Sequence, residues 1–166
     1  SFTDDTICTV AIADALLHGA DYGVSLHTWC RKYIHPKGGY GGRFRQWVLS
    51  DEPHPYNSFG NGSAMRVSPI AWQNLNADRM IYEAEKTAAC THNHPEGIKG
   101  AQTIALAIHY GYELRRQSTQ INREDILNKF KKVLEFSGYD INIRREDVIN
   151  KFDETCQGTV PVALWI

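Results

Sequence analysis

Thr3-Asp4-Asp5-Thr6-Ile7-Cys8-Thr9-Val10-Ala11-Ile12-Ala13-Asp14-Ala15-Leu16-Leu17-His18-Gly19 stands almost at the start of the chain. Its apolar, alanine-containing body, Thr6 to Gly19, suits a buried helix. Thr3, Asp4 and Asp5 supply the start, because short oxygen-bearing side chains can satisfy the free N–H groups of a first turn. Gly19 supplies the stop. The same opening has a second reading. Two adjacent carboxylates beside a threonine hydroxyl are hard oxygen ligands of the kind that magnesium, manganese and calcium take. A helix N-terminus also favours negative charge. A helix cap and a metal site call for the same residue types, so this stretch alone leaves both open.

Working outward, helical spacing continues along most of the chain. Val24, Leu26, Trp29 and Tyr33 recur at roughly that period, which predicts a helix over Tyr22–Ile34. Residues 35–62 are rich in glycine and proline, with only Phe44–Val48 looking regular. A loop this long inside a compact domain is usually functional or disordered. Its aromatics, Tyr40, Phe44, Trp47, Tyr56 and Phe59, argue against disorder. Ala64–Trp72, Asp78–Ala89 and Pro95–Arg116 read as three further helices. The last carries Ile98, Ala101, Ala105 and Ile108 on one face, and Pro95 sits where a first-turn proline belongs. Asn122 opens an amphipathic helix through Phe136, with Ile126, Phe130, Val133 and Leu134 as its buried stripe and Ser137-Gly138 as its end. Arg145–Phe152 is a shorter helix. In the final Val160–Ile166 run, Pro161 is placed to start another. Strand alternation is weak and no repeat is visible. The expected class is all-α, in one domain spanning 1–166.

Of the 166 residues, 42% are hydrophobic and 22% charged, as in ordinary globular proteins. Eighteen basic and 19 acidic residues give a formal net charge of -1. That balance offers no electrostatic reason to expect nucleic acid or an anionic membrane as partner. No apolar run is long enough to cross a bilayer, and no basic-then-apolar leader opens the chain. The expectation is a cytoplasmic protein. Cys8, Cys30, Cys90 and Cys156 are scattered without a short paired spacing, which fits reduced, structural thiols better than a zinc site. The terminal Val160–Ile166 run is almost wholly apolar. Termini normally lie in water, so this end is expected either to be covered by further chain or to mediate self-association.

Two more segments carry chemistry. In Tyr56-Asn57-Ser58-Phe59-Gly60-Asn61-Gly62-Ser63-Ala64-Met65-Arg66, glycines let backbone amides approach a ligand, and the following helix start attracts phosphate. Phe59 and Tyr56 offer stacking surfaces, and Arg66 can meet an anion. Equally, this is a tight loop with Met65 in the core and Arg66 in a structural salt bridge. In Thr91-His92-Asn93-His94-Pro95, two alternate histidines precede a helix. Zinc needs three or four protein ligands, and no third Cys or His lies at a useful spacing. One histidine bonding a ligand hydroxyl, with the other structural, is the more economical reading.

Taken in order, Ser1-Phe2-Thr3-Asp4-Asp5-Thr6, Pro55-Tyr56-Asn57-Ser58, Gly60-Asn61-Gly62-Ser63-Ala64-Met65-Arg66, Thr91-His92-Asn93-His94-Pro95-Glu96-Gly97 and Cys156-Gln157-Gly158-Thr159-Val160-Pro161-Val162-Ala163 resemble the ADP-ribosylglycohydrolase family. The resemblance spans nearly the whole chain. It implies an all-α orthogonal helical bundle, here the central portion of it and truncated at both ends, around a two-metal centre of magnesium or manganese. It implies Thr3, Asp4 and Asp5 as metal ligands, with Asp4 and Asp5 catalytic. Ser58, Phe59, Gly60, Asn61, Gly62, Met65 and His92 would bind ADP-ribose. The implied activity is hydrolysis of the bond between ADP-ribose and a protein side chain, or of a related ADP-ribosyl compound, so the partner is ADP-ribose or an ADP-ribosylated protein. The family's second metal motif, of the type Gly-Gly-Asp-x-Asp-Thr, has no counterpart in these residues. The expectation is therefore weak metal binding and little activity from this chain in isolation. The alternative is an inactive homologue that binds ADP-ribose or is structural.

Overall fold

The computed structural model describes residues 2–117 and 122–166. Ser1, the first residue of the opening motif, lies outside them. Among the described residues there are ten helices and no strand: α1 (Asp4–His18), α2 (Tyr22–Lys32), α3 (Gly42–Leu49), α4 (Gly62–Met65), α5 (Ser68–Ala71), α6 (Ala77–Ala89), α7 (Pro95–Gln117), α8 (Arg123–Ser137), α9 (Arg145–Val148) and α10 (Cys156–Trp165). The fold is all-α, as its patterning predicts.

Helix ends follow the local chemistry. Asp21, Asn76, Asn122 and Thr155 each accept a backbone N–H from the first turn of α2, α6, α8 and α10. Gly19 and Gly138 close α1 and α8 in the left-handed conformation that glycine adopts without a steric penalty.

Several elements differ from expectation, each for a physical reason. The predicted Ala64–Trp72 helix is two single turns, α4 and α5. Pro69 has no N–H to give to a continuing helix and falls in the first turn of α5, where none is needed. In α2, Leu26 and Cys30 lie one turn apart and are fully buried, while Val24 falls on the opposite face and is 63% exposed. In α8, Val133 is buried but Ile126 is 49% exposed. The expected stripe holds only toward the helix's C-terminal half. Arg145–Phe152 shortens to the single turn of α9, and Phe152 stands exposed. Finally, α10 begins at Cys156, so Pro161 lies inside it rather than at its start. Val160 and Pro161 are buried there, whereas Ile166 is exposed.

The packing centres on α7, which touches α4, α5, α6, α8 and α10. It can do so because its inward face is small: Gly97, Gly100, Ala101 and Ala105 are buried. Ile12, Val67, Ile70, Met80, Leu106 and Val133 fill the core between α1, α5, α6, α7 and α8. A second core, of Cys8, Leu26, Cys30, Trp47 and Val48, joins α1 to α2 and α3. The buried Cys8 and Cys30 thiols are 3.7 Å apart there, both free. A third, smaller cluster of Ala64, Cys156 and Val160 holds α10 against α4.

Gly100 sets the approach of α10 to α7. A methyl group there would lie 2.8 Å from the Cys156 Cβ and nearer still to its Sγ. Gly100→Ala is expected to cost about 1–3 kcal/mol of stability through overpacking. Urea denaturation with an unchanged m-value reads this, and an unaltered midpoint would show that α10 can draw back freely.

Candidate active site

The motifs separated in sequence meet around one cleft with two lobes, of about 490 Å³ and about 280 Å³. Asp4, Asn61, Met65 and Glu154 border both lobes. Asp5 lines the larger lobe. Ser58, Gly60, Gly62 and His92 line the smaller one. Thr3 and Phe59 stand outside both linings. Thr3 holds the N-cap position of α1, and Phe59 packs edge-on against His94 at 5.4 Å.

The start of α1 is unusual for this chain. Thr3 occupies the N-cap position with extended backbone, yet its side chain makes no capping hydrogen bond. Thr155, the same residue type at the same position of α10, does cap, accepting from Gly158 N at 3.0 Å. The hydroxyl of Thr3 is thus left unspent on its helix. Burial, and next the neighbouring charge of Asp5, raise the pKa of Asp4, partly offset by the amides of Asp4 and Asp5. No basic group figures among the influences on Asp4. Two adjacent carboxylates and a free hydroxyl at a helix N-terminus form an oxygen donor set that a divalent cation would suit. They fit one side of such a site. Among the described residues, no three His, Cys, Asp or Glu side chains stand close enough to share a metal ion.

Opposite lies the glycine loop, built by hydrogen bonds to both other motifs. Tyr56 N donates to Thr91 O, and Asn57, at a positive φ of 54°, donates to the Asn93 Oδ1 at 2.7 Å. Ser58 Oγ accepts from Gly60 N at 3.2 Å, folding the turn on itself. Ser63 Oγ donates to Gly97 O at 2.7 Å. From the other side, Asn61 N donates to Glu154 O and Cys156 N to Phe59 O, an isolated antiparallel bridge between Gly60 and Thr155. Glycine is required where the segments touch. A Cβ at Gly62 would lie 3.1 Å from His92 Nε2, and one at Gly97 would lie 2.8 Å from His92 O.

The two histidines divide the labour. His94 Nδ1 accepts from Glu96 N at 3.1 Å, closing the first turn of α7. His92 is only 5% exposed, and its Nδ1 lies 2.7 Å from Thr91 Oγ1. The Thr91 oxygen also accepts from Arg66 Nη2 at 2.8 Å. A guanidinium can only donate, so the single Thr91 proton is free to point at His92 Nδ1. With that proton on the Thr91–His92 bond, Nδ1 is the acceptor and the ring hydrogen sits on Nε2, toward Gly60 and Gly62. Arg66 itself is 1% exposed. Rather than the salt bridge anticipated from sequence, it finds carbonyl and hydroxyl oxygens: its Nη2 also donates to Thr87 O at 2.8 Å, in the last turn of α6, where the helix end is negative.

Sequence reasoning passed over two groups that the fold brings to the cleft. Glu154 arrives with the Thr155 bridge. Its signal was an Asp-Glu-Thr run at a helix start, the counterpart of the Thr-Asp-Asp run at α1. Arg43, at the start of α3, borders the smaller lobe from within a segment dismissed as mostly irregular.

An acidic helix end, a glycine-rich loop and a buried histidine thus share one cleft inside an all-helical bundle. The family model for ADP-ribosylglycohydrolase matches residues 1–164, and the chain belongs to that family. Its function is of the ADP-ribosylglycohydrolase type. No helix among the described residues is long and apolar enough to cross a membrane.

Burial first, then the charges of Arg66 and Arg43, push the pKa of His92 down to about 2 from an ordinary value of 6.5. The folded ring therefore stays neutral while the unfolded chain gains a proton below pH 6.5. The stability present at neutral pH is lost as pH falls, with a limiting slope of about 1.4 kcal/mol per pH unit from this group. In ¹⁵N-edited NMR, His92 is expected to keep hydrogen on Nε2 and none on Nδ1 from about pH 8 to about pH 5, across the range where free imidazole titrates. A His92 signal that moves with a midpoint near 6.5 would overturn this assignment.

Proposed function

We propose that this chain hydrolyses the glycosidic bond between ADP-ribose and a modified protein side chain or related compound, with Mg2+ or Mn2+ as cofactor and the whole chain acting as one domain around the cleft. The observation that carries this reading is the uncapped start of α1, whose Asp4 and Asp5 line the same cleft as the Gly60-Asn61-Gly62 loop and His92.

Thr3, Asp4 and Asp5 would hold the cation. When bound, it supplies positive charge that orients ribose hydroxyls and lowers the pKa of a coordinated water. The remaining work belongs to the protein. The Ser58–Gly62 loop and the Nε2–H of His92 hold the phosphate and ribose oxygens, with Met65 closing the floor. Phe59, 41% exposed at the loop tip, offers a ring face for the base. Asp4, more buried than Asp5 and raised in pKa, takes the proton of the attacking water. As the bond to the leaving group lengthens, positive charge builds at the anomeric carbon. The carboxylate of Glu154, on the facing wall, steadies that charge.

Incubation with an ADP-ribosylarginine substrate is the direct test. Release of free ADP-ribose is expected only with added magnesium or manganese, and slowly, because Thr3, Asp4 and Asp5 supply one side of a metal site. Asp4→Ala is expected to lower kcat by about 100-fold or more, the scale of a lost general base. ADP-ribose binding without release would favour the second reading, an ADP-ribose-binding homologue that does not turn over. Neither binding nor release would sink both.

A further inference from the structure

The smaller lobe is electrically mixed. Its lining carries two carboxylates, Asp4 and Glu154, and two guanidinium groups, Arg43 and Arg66. Of the two guanidinium groups, Arg66 is committed: it is 1% exposed and holds Thr87 O and Thr91 Oγ1. Arg43 is exposed, and within the described residues it touches no carboxylate. Its Nη2 donates to the backbone oxygen of Tyr56, and its guanidinium lies 5.0 Å over the Tyr56 ring. Both contacts are with neutral groups, so the positive charge is held at the mouth of the lobe without being neutralised.

Two further features point to what that charge meets. The first turn of α3 presents Gly41 and Gly42 to open space: a Cβ at either would meet nothing within 4 Å, and no side chain caps the helix. Its leading amides are therefore available to an anion. Across the lobe, His92 is 5% exposed and aims an unpartnered Nε2 past Gly60 and Gly62 into the same space. Backbone amides, a ring N–H and a free guanidinium thus converge from two walls on about 280 Å³.

We propose that Arg43 is a diphosphate-binding residue that leaves its resting place on Tyr56 to make a bidentate contact with the phosphate oxygens. The proposal rests on the ADP-ribosyl reading above and deepens it. Arg43 makes the lobe select a diphosphate and fixes the direction in which the substrate lies. The phosphates sit against the start of α3, and the ribose to be cleaved lies toward Asp4. A planar fork matches two phosphate oxygens, whereas an ammonium acts as a point charge. Lysine should therefore replace Arg43 only in part.

The test is calorimetric titration of the full chain and of two variants, with inorganic pyrophosphate in metal-free buffer, with ADP-ribose, and with adenosine as the phosphate-free control. Arg43→Gln keeps a donor for Tyr56 O but removes the charge, and Arg43→Lys keeps the charge but not the fork. Arg43→Gln is expected to weaken pyrophosphate and ADP-ribose about 10-fold or more, as loss of a charge-assisted hydrogen bond implies. Arg43→Lys should lose less, and adenosine binding should not change. The parent's affinity for pyrophosphate should also fall with added salt, more steeply than that of Arg43→Gln. Parent and Arg43→Gln binding pyrophosphate equally, or no pyrophosphate binding by the parent, would overturn the proposal. So would an equal loss for adenosine, which would make Arg43 a strap for the Tyr56 loop. Pyrophosphate binding that depends on Arg43, with no binding of ADP-ribose, would leave the anion seat standing and bring down the ADP-ribosyl reading instead.

Discussion

The buried guanidinium of Arg66 is the constraint around which this molecule is arranged. Withdrawing a cation from water costs several kcal/mol, and no carboxylate repays it here. Instead, α6 ends where its carbonyl dipoles face the charge: Arg66 holds Thr87 O in the last turn and Thr91 Oγ1 just beyond it. Arg66 stands between α4 and α5, beside the break that Pro69 makes in what would otherwise be one helix.

That arrangement also explains a division among chemically similar groups. Thr91 joins Arg66 to His92 through a single hydroxyl. Thr155 caps its helix and Thr3 leaves its helix uncapped. His94 closes α7, whereas His92 faces the cleft. In each pair one member stabilises the fold and the other does not spend its polar atom on a helix end; His92 lines the cleft, and Thr3 stands next to its Asp4 and Asp5. The groups at the cleft are those whose local hydrogen-bonding needs are unmet, a common property of sites built to receive a ligand.

Much of the fold was legible because helix stops and starts are written locally. Gly19, Gly138, Asn122 and Pro95 act through backbone conformation and capping, which depend on neighbours in sequence. The stripe of α7 was equally readable from Ala101 and Ala105. Less was legible where the deciding contact is distant. Val24 and Ile126 look like core residues by type, and only the placement of neighbouring helices leaves them in water. The three motifs at the cleft were visible as residue patterns, but their geometry was not. Whether Thr3 caps, or Arg66 finds an acid, is settled by side chains tens of residues away. Arg43 escaped for the same reason, since nothing next to it in sequence marks it, and the Asp-Glu-Thr run around Glu154 reads as a helix start until the Gly60–Thr155 bridge brings it to the cleft.

That bridge bears on how the protein reaches its native state. Cys156 Sγ meets Gly60 O at 3.2 Å across a separation of 96 residues. Contacts of such span require closing a long loop before any favourable energy is gained, and they slow folding accordingly. Helices α1 to α7 can assemble from nearer neighbours, but the wall bearing Glu154 arrives only when α10 docks. During synthesis the scaffold of α1 to α7 therefore precedes the cleft, whose Glu154 wall is delivered only by the later α10.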